Sequence, residues 1–89
     1  MLLSRKYEVK LTKPYLKILY LSVAANNTFV FLAMYDVGKD VLVHCSSSGQ
    51  ILHEYHFSSG IVDTMGMLSD KEVIVLQPQR NKIKTFKLE

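Results

Sequence analysis

The chain has 89 residues, of which 48% are hydrophobic, with a net charge of +3 and a single cysteine. That makes one small domain with a thin core. It is too apolar for a disordered chain, and it lacks the paired cysteines of a stapled secreted mini-domain. The lone Cys45 fits a reducing compartment, so the expected location is intracellular, in cytoplasm or nucleus. The opening Met-Leu-Leu-Ser-Arg-Lys puts its basic residues after a very short apolar run, which is not the order of a signal peptide. The most apolar window, Leu16 to Met34, is interrupted by Asn26-Asn27-Thr28, so no membrane span is expected. Charge is unevenly spread. Residues 1–17 sum to +4, residues 80–89 to +3 and the stretch between them to −4. A fold that brought the ends together would create one basic patch.

From the N-terminus, Leu3 to Leu11 alternates Tyr7, Val9 and Leu11 with Lys6, Glu8 and Lys10, the period of a half-buried strand. Pro14 ends it, having no N–H to donate. Tyr15 to Ala25 fits two descriptions. Leu16, Leu19, Tyr20 and Val23 have helical spacing with Thr12 and Pro14 placed to start a helix. Ile18, Tyr20 and Val23 have strand propensity, and the favoured expectation is a buried strand over Lys17 to Val23. Ala25-Asn26-Asn27 is a turn. Thr28 to Tyr35 is apolar on both parities, as in a strand buried on both faces. Asp36 to Asp40 turns. Val41 to Cys45 and Ile51 to Phe57 then form a hairpin around Ser46 to Gln50. Beyond Ser58-Ser59-Gly60, strands are expected over Ile61 to Leu68, Glu72 to Gln77 and Lys82 to Leu88, with turns at Ser69-Asp70-Lys71 and Pro78 to Asn81. The fold class is all-β.

The chain also repeats. Residues 20–32 lie over residues 64–76 at an offset of 44, with apolar on apolar at Leu21/Met65, Val23/Met67, Phe29/Val73, Val30/Ile74, Phe31/Val75 and Leu32/Leu76. With a two-residue deletion in the following loop, Val41-Leu42-Val43-His44 falls on Ile83-Lys84-Thr85-Phe86. A period in the low forties with four short strands is the size of a propeller blade. Val23 to Asn27, Phe31-Leu32-Ala33, Val41 to Cys45 and Ser48-Gly49 before Ile51-Leu52 resemble, in order, the strands and turns of a WD40-type β-propeller repeat. Met67 to Asp70, Val75-Leu76 and Ile83 to Phe86 resemble a second one, with Phe86 in the Trp place. His44-Cys45 stands where the family has Trp-Asp, and no Gly-His pair precedes either repeat, so the family's Asp–His–Ser/Thr–Trp network is not expected. The resemblance implies antiparallel four-stranded blades of a partial β-propeller. Residues 1–13 would be an outer strand of a preceding blade, residues 14–60 one blade-like repeat, and residues 61–89 a second, incomplete one. Two blades do not close a ring that typically needs four to eight. Other protein chains, or copies of this one, are therefore expected to complete the propeller. The alternative architecture is a small β-barrel or sandwich.

Site chemistry is sparse. His44, Cys45, His53 and His56 form the one metal-like set. With Ser48-Gly49 as the turn, His44 faces His53 while Cys45 and His56 take the opposite face, and zinc needs at least three converging ligands. Ser46, Ser47 and Ser48 are accounted for by turn chemistry, and strand-turn-strand is not the strained elbow of hydrolases. No catalytic residue, metal or cofactor is expected. Arg80, Lys82 and Lys84 share one parity and form the candidate basic contact surface, with Tyr7, Tyr15 and Phe86 as aromatic neighbours. Lysines on an outer strand also guard a sheet edge. The expected function is a non-enzymatic protein-interaction scaffold, a propeller segment within a larger protein or complex. The alternative is a small basic β-protein that binds nucleic acid.

Overall fold

The computed structural model describes residues 9–57, 62, 64–77 and 81–88. Its seven strands are β1 (Lys17–Ala24), β2 (Thr28–Asp36), β3 (Lys39–Cys45), β4 (Ile51–His56), β5 (Thr64–Ser69), β6 (Glu72–Gln77) and β7 (Lys82–Lys87). They form two antiparallel meanders, sheet A in the order β1-β2-β3-β4 and sheet B in the order β5-β6-β7. The chain is all-β. No strand pairing joins the two sheets among the described residues, so the closed barrel is ruled out.

Turn chemistry accounts for the breaks between strands. Asn26 and Asn27 hold positive φ angles of 59° and 58° between β1 and β2, a region that asparagine tolerates better than most residues. The Thr28 hydroxyl donates to the Ala25 carbonyl at 2.7 Å across the same turn. Between β3 and β4, the Ser46 Oγ accepts the N–H groups of Ser48 (3.3 Å) and Gln50 (3.1 Å).

Within Tyr15 to Ala25 the residues Lys17–Ala24 form strand, followed by a single 3-10 turn over Ala25–Asn27, and β1 pairs with β2 along its length with a bulge between Ile18 and Tyr20. The expected burial of this segment is corrected: β1 is an edge strand, with Leu21 and Val23 exposed. The central strands are buried on both faces, as Val30 to Ala33 and Asp40 to Cys45 show. Of the strand expected over Leu3 to Leu11, residues 1–8 lie outside the described residues. Val9 to Leu11 carry no ladder pairing. Instead, Leu11 and Tyr15 pack against Phe31, Ala33, Val41, Val43 and Cys45 on one face of sheet A. The Thr12 N–H donates to the Gly49 carbonyl at 3.1 Å, which ties this segment to the β3–β4 turn.

Sheet B packs on the opposite face of sheet A. Ala24, Val30, Leu32 and Leu42 meet Val62, Val73, Val75 and Leu88 in one core. Two polar links reinforce the join. The Ala25 N–H donates to the Asp70 carbonyl at 2.8 Å, turn to turn. The buried Asp40 carboxylate accepts the Val62 N–H at 3.0 Å.

The repeat is visible in the pairing. In sheet A, Tyr20, Leu21, Ser22 and Val23 oppose Leu32, Phe31, Val30 and Phe29. In sheet B, Thr64, Met65, Gly66 and Met67 oppose Leu76, Val75, Ile74 and Val73, which is the same register at the same offset of 44. The third strands need a correction. Leu42 opposes Leu32 in sheet A, and Ile83 opposes Leu76 in sheet B. The loop before β7 is therefore three residues shorter than its counterpart, not two. Ile83 corresponds to Leu42 and Phe86 to Cys45. A slip of one residue moves a strand's side chains to the other face. Sheet B has no counterpart of β4 among the described residues.

Candidate functional site

His44 opposes His53 across β3 and β4, while His56 opposes Val41 on the face that carries Cys45. Among the described residues no three of His, Cys, Asp or Glu come together as metal ligands. His44 is buried, and its Nε2 lies 2.8 Å from Thr28 Oγ1. The Thr28 hydroxyl proton is already committed to Ala25, so His44 Nε2 carries the donor hydrogen. Its Nδ1 is then unprotonated, and no described residue bonds it. Burial, followed by the neighbouring His53, lowers the His44 pKa below its ordinary value. This is a neutral histidine held in place. The Cys45 thiol is pushed up by burial, only partly offset by its bond with the Phe29 backbone, so it is protonated and a poor nucleophile.

Glu54, on β4, gathers the N-terminal segment. Lys13 Nζ donates to both of its oxygens at 2.9 Å, and the Tyr15 hydroxyl donates to Oε2 at 2.7 Å. Burial alone would raise the Glu54 pKa, but the bonds from Tyr15 and Lys13 outweigh it and hold the carboxyl low. Burial and the bond to Glu54 push the Tyr15 phenol well above its ordinary value of 10.0. The group therefore anchors a segment, with each member satisfied by the others.

Of the basic contact surface, Arg80 lies outside the described residues. Lys82 and Lys84 oppose Gln77 and Val75, so they sit on the face of β7 that turns toward sheet A. Lys82 is exposed and Lys84 half-buried, and β7 is an edge of sheet B. Tyr7 lies outside the described residues. Tyr15 packs edge-on to Phe31 with ring centroids 5.6 Å apart. Phe86 packs against Tyr55 and Phe57 at 5.4 and 5.7 Å. The aromatic neighbours that are described serve as packing. Lys13 is held by Glu54 on β4 of sheet A, while Lys82 and Lys84 lie on β7 of sheet B.

The open surface is apolar. On sheet B, Ile74, Leu76 and Ile83 alternate with the buried Val73, Val75 and Gln77 and so face away from sheet A. Ile83 is 67% exposed. With Thr64 and Gly66 these residues line a groove. On sheet A, Leu21 and Val23 are 66% and 62% exposed. Together with Ile18 and Phe29 they occupy the face turned away from sheet B. A hollow of about 240 Å³ there is lined by Val9, Leu11, Ile18, Leu21, Phe29, Phe31 and Cys45.

Compared with known proteins, the chain matches no family model, no curated protein and no solved structure.

Contiguous exposed apolar residues on a sheet face mark an interaction site more often than scattered ones do. An incomplete propeller is expected from the sequence, but none of the residues of this face is singled out by it. The missing signal was the length of the β6–β7 loop, since only the three-residue difference assigns Ile83 to the face of Ile74 and Leu76.

Proposed function

We propose that this chain is a non-enzymatic protein-interaction scaffold, a two-sheet segment of a β-propeller that other polypeptide completes. One observation carries the reading: the two-layer stack leaves an apolar face of sheet B open. Ile74, Leu76 and Ile83 stand on that face, and on the far side of sheet A Ile18, Leu21 and Val23 stay exposed beside the segment that carries Leu11 and Tyr15. The WD40-like strand and turn pattern fits the same reading, because blades of that type bury both faces against their neighbours. The basic strand β7 fits an edge guarded by lysine.

The test uses an environment-sensitive apolar dye on the dilute, purified chain. The reading expects dye binding that falls in Ile83→Lys and in Leu21→Lys while the circular dichroism spectrum stays unchanged. A chain that binds no dye would overturn it. So would salt-sensitive binding to mixed-sequence DNA or RNA that is lost in Lys82→Ala together with Lys84→Ala, because phosphate contacts dominate nucleic-acid binding at low salt.

A further inference from the structure

The repeat gives each strand of sheet B a counterpart in sheet A, so the cover over equivalent faces can be compared. On sheet B, Met65, Met67, Val73, Val75 and Phe86 lie against sheet A, which supplies Val30, Leu32 and Leu42 as cover. Their counterparts on sheet A are Leu21, Val23, Phe29, Phe31 and Cys45, on the face turned away from sheet B. Among the described residues no sheet covers that face. Leu11 and Tyr15 cover it instead, packed against Phe31, Ala33, Val41, Val43 and Cys45. Phe31 and Cys45 are as fully buried there as Val73 and Val75 are beneath a whole sheet. The segment is nevertheless narrower than a sheet. Leu21 and Val23 on β1 stay exposed, whereas their counterparts Met65 and Met67 are half-buried.

We propose that residues 9–16 are an autoinhibitory strap. They take the place of a further sheet on sheet A and must lift before one can stack there. This deepens the scaffold reading and rests on it, since that reading supplies the sheet to be excluded. The way the strap is held suits release. Val9 to Leu11 carry no ladder pairing, and the segment is fastened by a few clasps. The Thr12 N–H donates to the Gly49 carbonyl at 3.1 Å, and Thr12 Oγ1 accepts the Ile51 N–H at 3.4 Å. Lys13 and Tyr15 bond Glu54, and the Leu16 N–H donates to the Met34 carbonyl at 2.9 Å. All but the last reach the β3–β4 turn and β4, across sheet A from β1. The strap therefore leaves Ile18, Leu21 and Val23 in water. A sheet in its place would bury them as well, so the exchange gains apolar burial. The strap also gives the stack a direction. The outer face of sheet B is available at once, and that of sheet A only after release.

The experiment measures the fluorescence of anilinonaphthalene sulfonate, an apolar-surface dye, with the whole chain carrying Ile83→Lys, which silences the sheet B face. In that background Leu11→Asp puts a charge beneath the strap, and Glu54→Ala removes its bonds from Lys13 and Tyr15. Each is expected to raise the dye signal several-fold while the β-sheet circular dichroism spectrum stays unchanged. Adding Leu21→Lys is expected to bring the signal back down, because the newly bared surface lies on the same face. If Leu11→Asp does not fold, Glu54→Ala decides, since it places no charge in the apolar contact.

A dye signal that stays at the Ile83→Lys level in the folded variants would overturn the strap. So would a rise that Leu21→Lys leaves untouched, because the dye then binds elsewhere. Loss of the β-sheet spectrum in both Leu11→Asp and Glu54→Ala overturns it as well, since the segment is then part of the folding core. The scaffold reading is judged on the chain without Ile83→Lys. If that chain binds dye and the strap variants add none, the scaffold reading survives and the strap fails. If that chain binds no dye, the scaffold reading fails and the strap has nothing to exclude.

Discussion

At the scale of single residues, two features are set by local geometry that a side-chain list does not reveal. Gly49 has φ +93°, and a Cβ there would lie 2.0 Å from the Lys10 carbonyl oxygen. Gly38 has φ +71° with open space around it. Both substitutions to alanine force a left-handed backbone at about 1–2 kcal/mol. Only Gly49→Ala also pushes the N-terminal segment off the β3–β4 turn. Urea unfolding is expected to show a loss of about 1 kcal/mol for Gly38→Ala and about 3 kcal/mol for Gly49→Ala.

The second such residue is His44, whose folded-state pKa lies below the ordinary 6.5. A group lowered in this way is more easily protonated in the unfolded chain. Its stabilising contribution is complete above about pH 6.5 and is lost as pH falls through the folded value. Melting temperatures measured from pH 7.5 downward should therefore decline through this window. His44→Gln, which keeps a donor for Thr28, is expected to flatten that part of the curve. A decline unchanged in His44→Gln would assign it to other groups.

At the scale of elements, alternation decides which strand residues matter. Along β6 and β7, Val73 is buried in the shared core while Ile83 stands on the open face. Val73→Ala is expected to cost about 2 kcal/mol. Ile83→Ala should stay within about 0.5 kcal/mol in the dilute chain. Comparable losses at both sites would mean that the open face is buried in the monomer. Most strands were legible in the sequence because each is bracketed by turn residues: Asn26-Asn27, Gly38, Ser48-Gly49 and Asp70-Lys71 all fall between paired strands. The strand identity of β1 was also legible, but not its exposure. Leu19, Leu21 and Val23 read as a buried run because a sequence does not state which strand ends a sheet. The bulge at Ile18–Tyr20 and the shortened β6–β7 loop each shift the side-chain phase by one residue, and no composition pattern records such a shift. The anchoring role of Glu54 escaped for a similar reason. It bonds residues 39 and 41 positions away, with nothing local to signal them.

At the scale of the whole molecule, the two sheets depend on each other through one core. Leu42 sits in sheet A yet packs in the cluster that contains Val73 and Val75 of sheet B. Leu42→Ala is expected to cost about 3 kcal/mol. Hydrogen exchange should show reduced amide protection in β5 and β6 as well as in β2 and β3. Loss confined to sheet A would mean that the layers unfold separately. The repeat was legible as an offset of 44 because the hydrophobic pattern of β1–β2 recurs in β5–β6. The direction in which one repeat faces the next was not legible. It follows from which parity is buried, and in both repeats both parities are largely apolar.

The position of Cys45 gives the fold a timer of its own. The only sulfhydryl in the chain is 1% exposed and lines the hollow together with Val9 and Leu11. Leu11 and Tyr15 pack against its cluster, so a thiol reagent is expected to reach it when residues 9–16 lift from sheet A. The modification rate at fixed pH therefore measures how often that segment opens. Tyr15→Phe, which removes one bond to Glu54, is expected to raise the rate several-fold at about 1 kcal/mol of lost anchoring. A rate indifferent to Tyr15→Phe would mean that the reagent enters by another path.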